Sequence, residues 1–165
     1  MLRAVRIEGL RSLTDTGFIN IKPLTILVGE NSSGKSTFLR FFPLLKQSFE
    51  ANTSGPILWS DPNLVDFGSY QEAAHNNSSK GIRFYFKFHW ERSADSSNTI
   101  QEQFFSRSLT NKTLDINLMI ELSKNIKKET TRVSKIDCEI ADSSIKIKIN
   151  EDVCIANSNL KCNRF

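Results

Sequence analysis

Apolar and polar positions alternate with a period of two over much of this chain and follow helical spacing in only one stretch. Ile82, Phe84, Phe86, Phe88 and Trp90 alternate with Arg83, Tyr85, Lys87 and His89, and Leu114, Ile116, Leu118, Ile120 and Leu122 repeat the pattern. Such alternation predicts antiparallel strands with one apolar face and one wet face. It recurs over Ile136–Ile140, Ile145–Ile149 and Val153–Ile155, with turns predicted at Asp142-Ser143 and Asn150-Glu151-Asp152, so residues 131–156 read as a meander. Near the start, residues 2–8 suit a first strand broken by Gly9-Leu10-Arg11-Ser12, and residues 18–21 a second. Lys22-Pro23 then turns into the apolar run Leu24, Ile26, Leu27 and Val28, which reads as a short buried strand. The helical stretch is Ser36–Phe49, with Phe38, Leu39, Phe42, Leu45 and Phe49 as its apolar residues. Asn52–Asp66 is rich in Asn, Ser, Gly, Pro and Asp and predicts a long loop. Arg92–Asn98 reads as a flexible connector, and Asn157–Phe165 carries no strong pattern. The aromatic stripe Phe84–Trp90 suits base stacking or a buried sheet face, and its alternation favours the buried face.

Between the predicted strand at 24–28 and the predicted helix stands Gly29-Glu30-Asn31-Ser32-Ser33-Gly34-Lys35-Ser36-Thr37. Two glycines separated by four residues and followed by Lys-Ser form the phosphate-binding loop pattern, and strand-before, helix-after is the context it requires. The chemistry accounts for each position. Gly29 and Gly34 let the backbone bend close to phosphate oxygens, and the intervening N–H groups make a concave nest at the positive end of the new helix. Lys35 supplies a point charge for the β- and γ-phosphates. The Ser36 hydroxyl is a hard oxygen ligand for Mg²⁺, and Thr37 is a donor for the α-phosphate. The bland alternative, a glycine turn that merely caps a helix, does not ask for a lysine at position 35.

Composition adds bounds. At 165 residues, 39% apolar and 24% charged, the chain has the make-up of one globular domain with a real core. A net charge of +4 with scattered Lys and Arg reads as a solvated surface before it reads as a nucleic-acid groove. Cys138, Cys154 and Cys162 show no metal spacing, and an odd count without a signal peptide predicts reduced thiols in the cytoplasm. No stretch approaches the ~18 apolar residues of a membrane span. The Asn-Lys-x-Asp base reader of GTPases is absent, and the lid and substrate arginines of small kinases are not evident after the first helix.

Val5-Arg6-Ile7-Glu8-Gly9-Leu10-Arg11-Ser12-Leu13, taken with Gly29 to Leu39, resembles the N-terminal lobe of ABC-like AAA ATPases. That group includes SMC, RecF and RecN proteins and the ATPase half of OLD-family nucleases, many of them in bacterial antiviral defence. Gly9-Leu10-Arg11-Ser12 loosely matches the family's Asn-Phe-Lys/Arg-Ser motif, and Asn31 fits its Gly-x-Asn-x-x-Gly-Lys-Ser/Thr loop. Leu64 to His75 is similar to a segment recurrent in the defence-associated subset. The resemblance implies an α/β fold, a P-loop NTPase N-terminal lobe with an antiparallel β-sheet region, here truncated. Residues 1–80 would be the P-loop nucleotide-binding core, and residues 81–165 an antiparallel β region of the same incomplete lobe. It implies ATP and Mg²⁺ as ligands, held by Arg11, Gly29, Glu30, Asn31, Ser32, Ser33, Gly34, Lys35, Ser36 and Thr37. It also implies Lys35 and Gln71 in catalysis, Ser36 and Gln71 at the metal, and His75 in nucleotide sensing. A surface arginine, a loop glutamine and a packed histidine are the plainer readings of Arg11, Gln71 and His75.

The departures from the family pattern are equally informative. No run of four apolar residues precedes an Asp-Glu pair in residues 38–165, and no LSGG-like signature or late histidine motif is present. The expectation is therefore a first lobe from a fragment, a split protein or a truncated gene. It would bind ATP with little or no hydrolysis alone, in a DNA-linked or phage-defence setting. Its partners would be a second copy or the missing C-terminal ATPase lobe. The competing class is a non-catalytic, nucleotide-dependent interaction or DNA-binding module.

Overall fold

The computed structural model describes residues 1–51, 55–75, 81–91, 113–125, 130–140, 143–150 and 153–159. In chain order the elements are β1 (Leu2–Leu10), β2 (Leu13–Asp15), β3 (Ile19–Asn20), α1 (Lys35–Glu50), α2 (Tyr70–Ala73), β4 (Ile82–Glu91), β5 (Thr113–Lys124), β6 (Thr131–Ile140), β7 (Ser143–Asn150) and β8 (Val153–Asn159). Among the described residues the strands form one antiparallel sheet in the order β2-β1-β4-β5-β6-β7-β8, with β3 also pairing β1. The chain is thus mostly antiparallel sheet with few helices. The alternation that predicted β4 sends Ile82, Phe84 and Phe86 to the core. There the Phe41 ring of α1 lies 4.8 Å from Phe84 and 6.1 Å from Phe86. No helix of the described residues is long and apolar enough to cross a membrane.

Several expectations are corrected. The run Leu24–Val28 joins no strand of the described sheet, and Leu24, Ile26 and Val28 are 77%, 73% and 86% exposed. An extended segment becomes a strand only beside a backbone partner, and none of the described strands pairs with it. Gly9 does not end β1. It adopts φ 72 and the ladder continues to Leu10, which pairs with Leu13 across the Arg11-Ser12 turn and so creates β2. On α1 the buried face is Phe38, Phe41, Leu44 and Gln47, whereas Leu39 and Phe49 are exposed. Of the set read from the sequence only Phe38 lies on that buried face, because Phe41 packs on Phe84 and Phe86 of β4 and so fixes which side of the helix turns inward. Gln71, expected in a loop, lies in the four-residue α2. The connector at Arg92–Asn98, Asp142, Glu151-Asp152, Cys162 and the rest of the terminal segment from 160 onward lie outside the described residues.

The loop between the two helices is pinned to α1 by a buried amide. Gln47 is 2% exposed. Its Nε2 donates to the carbonyls of Leu58 (2.6 Å) and Val65 (3.1 Å), and its Oε1 accepts from the Val65 N–H (3.1 Å). Gln47→Leu keeps the size but strands those backbone groups, so we expect a loss of about 3 kcal/mol in denaturant unfolding. A change below about 0.5 kcal/mol, the level of an ordinary surface substitution, would show that water replaces the amide.

Candidate functional site: the loop at the start of α1

The bend between Val28 and α1 is compact. Ser33 N–H donates to Glu30 O (3.3 Å), and Phe38 N–H to Gly34 O (2.9 Å) begins the helix. Ser32 sits at φ 65 and Gly34 at φ 91, a left-handed geometry that lets the chain turn directly into α1. Gly34 provides no side-chain cap and the first turn holds no acidic residue. The first-turn N–H groups and the positive end of the helix dipole are therefore available to an anion. Lys35 folds across the bend, its ammonium donating to Gly29 O (2.8 Å), Glu30 O (2.5 Å) and Ser33 Oγ (3.3 Å). Glu30, Asn31, Ser32, Ser33 and Ser36 are exposed, and Thr37 is half-buried.

A second wall comes from the β1–β2 turn. A Cβ built on Gly34 would lie 2.4 Å from Leu13 Cδ2 and 3.2 Å from Ser12 Oγ, so this turn rests directly on the loop. Arg11, at φ 48, heads the turn. Its guanidinium stacks 4.7 Å from the Phe67 ring centroid and donates to Asp66 O (3.3 Å). Arg40 of α1 approaches the same ring at 5.4 Å and the same carbonyl at 3.0 Å. Phe67 is fully buried, so two cations share one aromatic anchor. The Asp66 carboxyl beside them is held below the usual carboxylate range, first by the Gly68 N–H (2.7 Å) and next by the Ser60 hydroxyl.

The segment after Phe67 closes the back of the turn. Ser69 and Glu72 form a reciprocal cap that starts α2. Arg11 N–H then donates to Ala73 O (2.7 Å) and His75 N–H to Gly9 O (2.9 Å), while the His75 ring contacts Arg11 O. His75 is thereby a half-buried brace of the turn, and Gln71 stands exposed on α2. The structure brings together the β1–β2 turn and residues 29–37, which β2 and β3 separate in the element order.

Reading the sequence missed Ser12, Leu13, Arg40 and Gln47. Gln47 had a legible signal, falling three residues after Leu44 on a face otherwise apolar. Ser12 and Leu13 stood in the segment that resembles the family without a role being read for them, and Arg40 left no local mark, because their contacts reach across the fold. The sequence matches the AAA ATPase domain family over residues 1–164. A comparison with curated proteins finds no match.

Proposed function

The chain belongs to the AAA ATPase domain family, and on that premise we propose that residues 29–37 hold the triphosphate of ATP. The observation that carries this reading is the Lys35 ammonium at the centre of a glycine bend that opens an uncapped helix. Loop carbonyls and the Ser33 hydroxyl accept from that ammonium. A triphosphate offers it charged oxygens instead, and charge-assisted hydrogen bonds are roughly twice as strong as neutral ones. The backbone N–H groups from Gly29 to Gly34 and the first turn of α1 orient the β-phosphate. The exposed Ser36 hydroxyl would hold Mg²⁺, with Gln71 a second candidate, since this ion takes oxygen ligands and is bound through few protein groups. When bound, the ion neutralises phosphate charge. Arg11 lies one residue from the wall that touches Gly34, and its guanidinium would have to leave the Phe67 ring and Asp66 O to face a phosphate.

We further read the chain as the N-terminal lobe of an ABC-like, DNA-linked or defence-type ATPase. The resemblance of residues 5–13, 29–39 and 64–75 supports this. So does the exposed row Leu24, Ile26 and Val28 beside the loop, an apolar surface suited to burial by another ATPase lobe or a second copy. Residues 38–165 carry no apolar run ending in Asp-Glu, the pattern that would supply a general base, and on this reading we expect little or no hydrolysis by these residues alone.

Calorimetric titration with ATP, with and without Mg²⁺, tests the reading alongside a phosphate-release assay. We expect magnesium-strengthened binding and phosphate release at background. No binding at millimolar ATP, or turnover near the ~10 s⁻¹ typical of enzymes, would each overturn the corresponding part.

A further inference from the structure

The face of the sheet opposite α1 carries a cleft of about 510 Å³, within the size range of small-molecule sites. Its floor is the outward side of β5, with Asn117, Met119 and Glu121. One wall is Arg83, Tyr85 and Lys87 of β4, and the other is Lys135, Asp137 and Glu139 of β6. Strand register sets these groups in transverse rows: Arg83–Glu121–Lys135, Tyr85–Met119–Asp137 and Lys87–Asn117–Glu139.

The rows differ in how far they are satisfied. In the first, Arg83 bonds Glu121 (2.8 Å) and Glu8 (3.1 Å), and Ser134 donates to Glu121 (2.8 Å), so that end is a closed ion-pair network. In the second, Lys135 holds one Asp137 oxygen at 2.6 Å, while Asp137 Oδ1, shielded from water, has no hydrogen-bond partner. In the third, among the described residues, the Lys87 ammonium has no carboxylate partner and lies 4.1 Å over the Phe18 ring. Neither the Asn117 amide nor the Glu139 carboxylate has a hydrogen-bond partner there.

The open end of the cleft thus sets an ammonium and an amide against the exposed Glu139 carboxylate, with the Met119 thioether beside them. Across β5 the two walls stand two strand spacings apart, about 10 Å. An extended dipeptide spans about 7 Å between its charged ends, and the long Lys87 and Glu139 side chains have the reach to close the rest. We propose that this cleft binds a small zwitterion of dipeptide size. Its ammonium lies at Glu139, its carboxylate at Lys87 and Asn117, and its apolar body over Met119 and Tyr85. Charge complementarity selects this class. A simple anion faces the carboxylates of β6, a simple cation faces Lys87, and only a ligand bearing both signs satisfies each wall. The site lies on the opposite face from α1 and does not depend on the nucleotide reading.

The test is calorimetric titration of the full chain with glycyl-leucine, its N-acetyl form and its C-terminal amide. Glycyl-leucine should bind in the millimolar range or tighter, and each blocked form at least about tenfold more weakly, the effect of losing one charge-assisted contact. Glu139→Gln and Lys87→Met should each reduce glycyl-leucine binding by a similar factor with the thermal midpoint unchanged, since both side chains are exposed. Glu139→Gln should spare affinity for the amide less than Lys87→Met does, because the amide retains its ammonium. Absence of binding at about 10 mM, equal binding of the blocked forms, or indifference to both substitutions would overturn the proposal.

Discussion

Lys35→Ala is expected to weaken ATP binding about a hundredfold, the equivalent of roughly 3 kcal/mol for a hydrogen-bonded charge. The fold should survive. The ammonium bonds Gly29 O, Glu30 O and Ser33 Oγ, and those residues are exposed, so water replaces it at little cost. Lys35→Arg should fail as well, because a planar guanidinium cannot sit as a point charge within a bend this tight. Titration with ATP in Mg²⁺, combined with thermal unfolding, separates the two quantities. An affinity within about threefold of wild type, less than the ~1.4 kcal/mol of a tenfold change, would mean that this loop does not hold the triphosphate. A collapse of the unfolding midpoint instead would make Lys35 a structural residue.

Gly34→Ala should be the most damaging small substitution near the site, and Gly17→Ala is its control. Both glycines have positive φ, 91 and 60. A side chain in that region costs roughly 1–2 kcal/mol at either position. Only Gly34 is also crowded, since its new Cβ would stand 2.4 Å from the Leu13 methyl, whereas Gly17 has nothing within 4 Å. Leu13 is 8% exposed and has little room to retreat. Overpacking of this kind adds roughly 1–3 kcal/mol. Gly34→Ala should then lower the thermal midpoint by roughly 10 °C and Gly17→Ala by a few degrees, on the usual scaling for a domain of this size. ATP binding should also fall with Gly34→Ala, because the loop cannot both relieve the contact and keep its bend. Equal midpoints for the two variants would mean that the β1–β2 turn does not press on the loop.

Much of the sheet was legible before any coordinates. The alternation from Ile82 to Trp90 and from Leu114 to Leu122 reappears as β4 and β5, paired residue for residue from Ile82 with Leu122 to Glu91 with Thr113. The meander also reappears, with longer strands than the apolar pattern marked, because pairing carries the ladder into the polar residues at either end of each run. The helix after the loop began within a residue of its expected start. These features are local: a period of two or of 3.6 is written along the chain itself.

Residue chemistry by itself supplied the pattern on which the triphosphate proposal rests, since two glycines, a lysine and a serine at those intervals can be read along the chain without its fold. Tertiary structure alone decided what surrounds it. Burial of Leu24–Val28 depended on a neighbouring strand that the described sheet does not place beside it, so three apolar residues that sequence assigned to a core stand exposed. Likewise, Arg11 and Arg40 share the Phe67 ring, and Leu13 abuts Gly34, only because β1, α1 and the loop after it converge. Such contacts join residues tens of positions apart, and their energies depend on distance in space, which no spacing along the chain encodes.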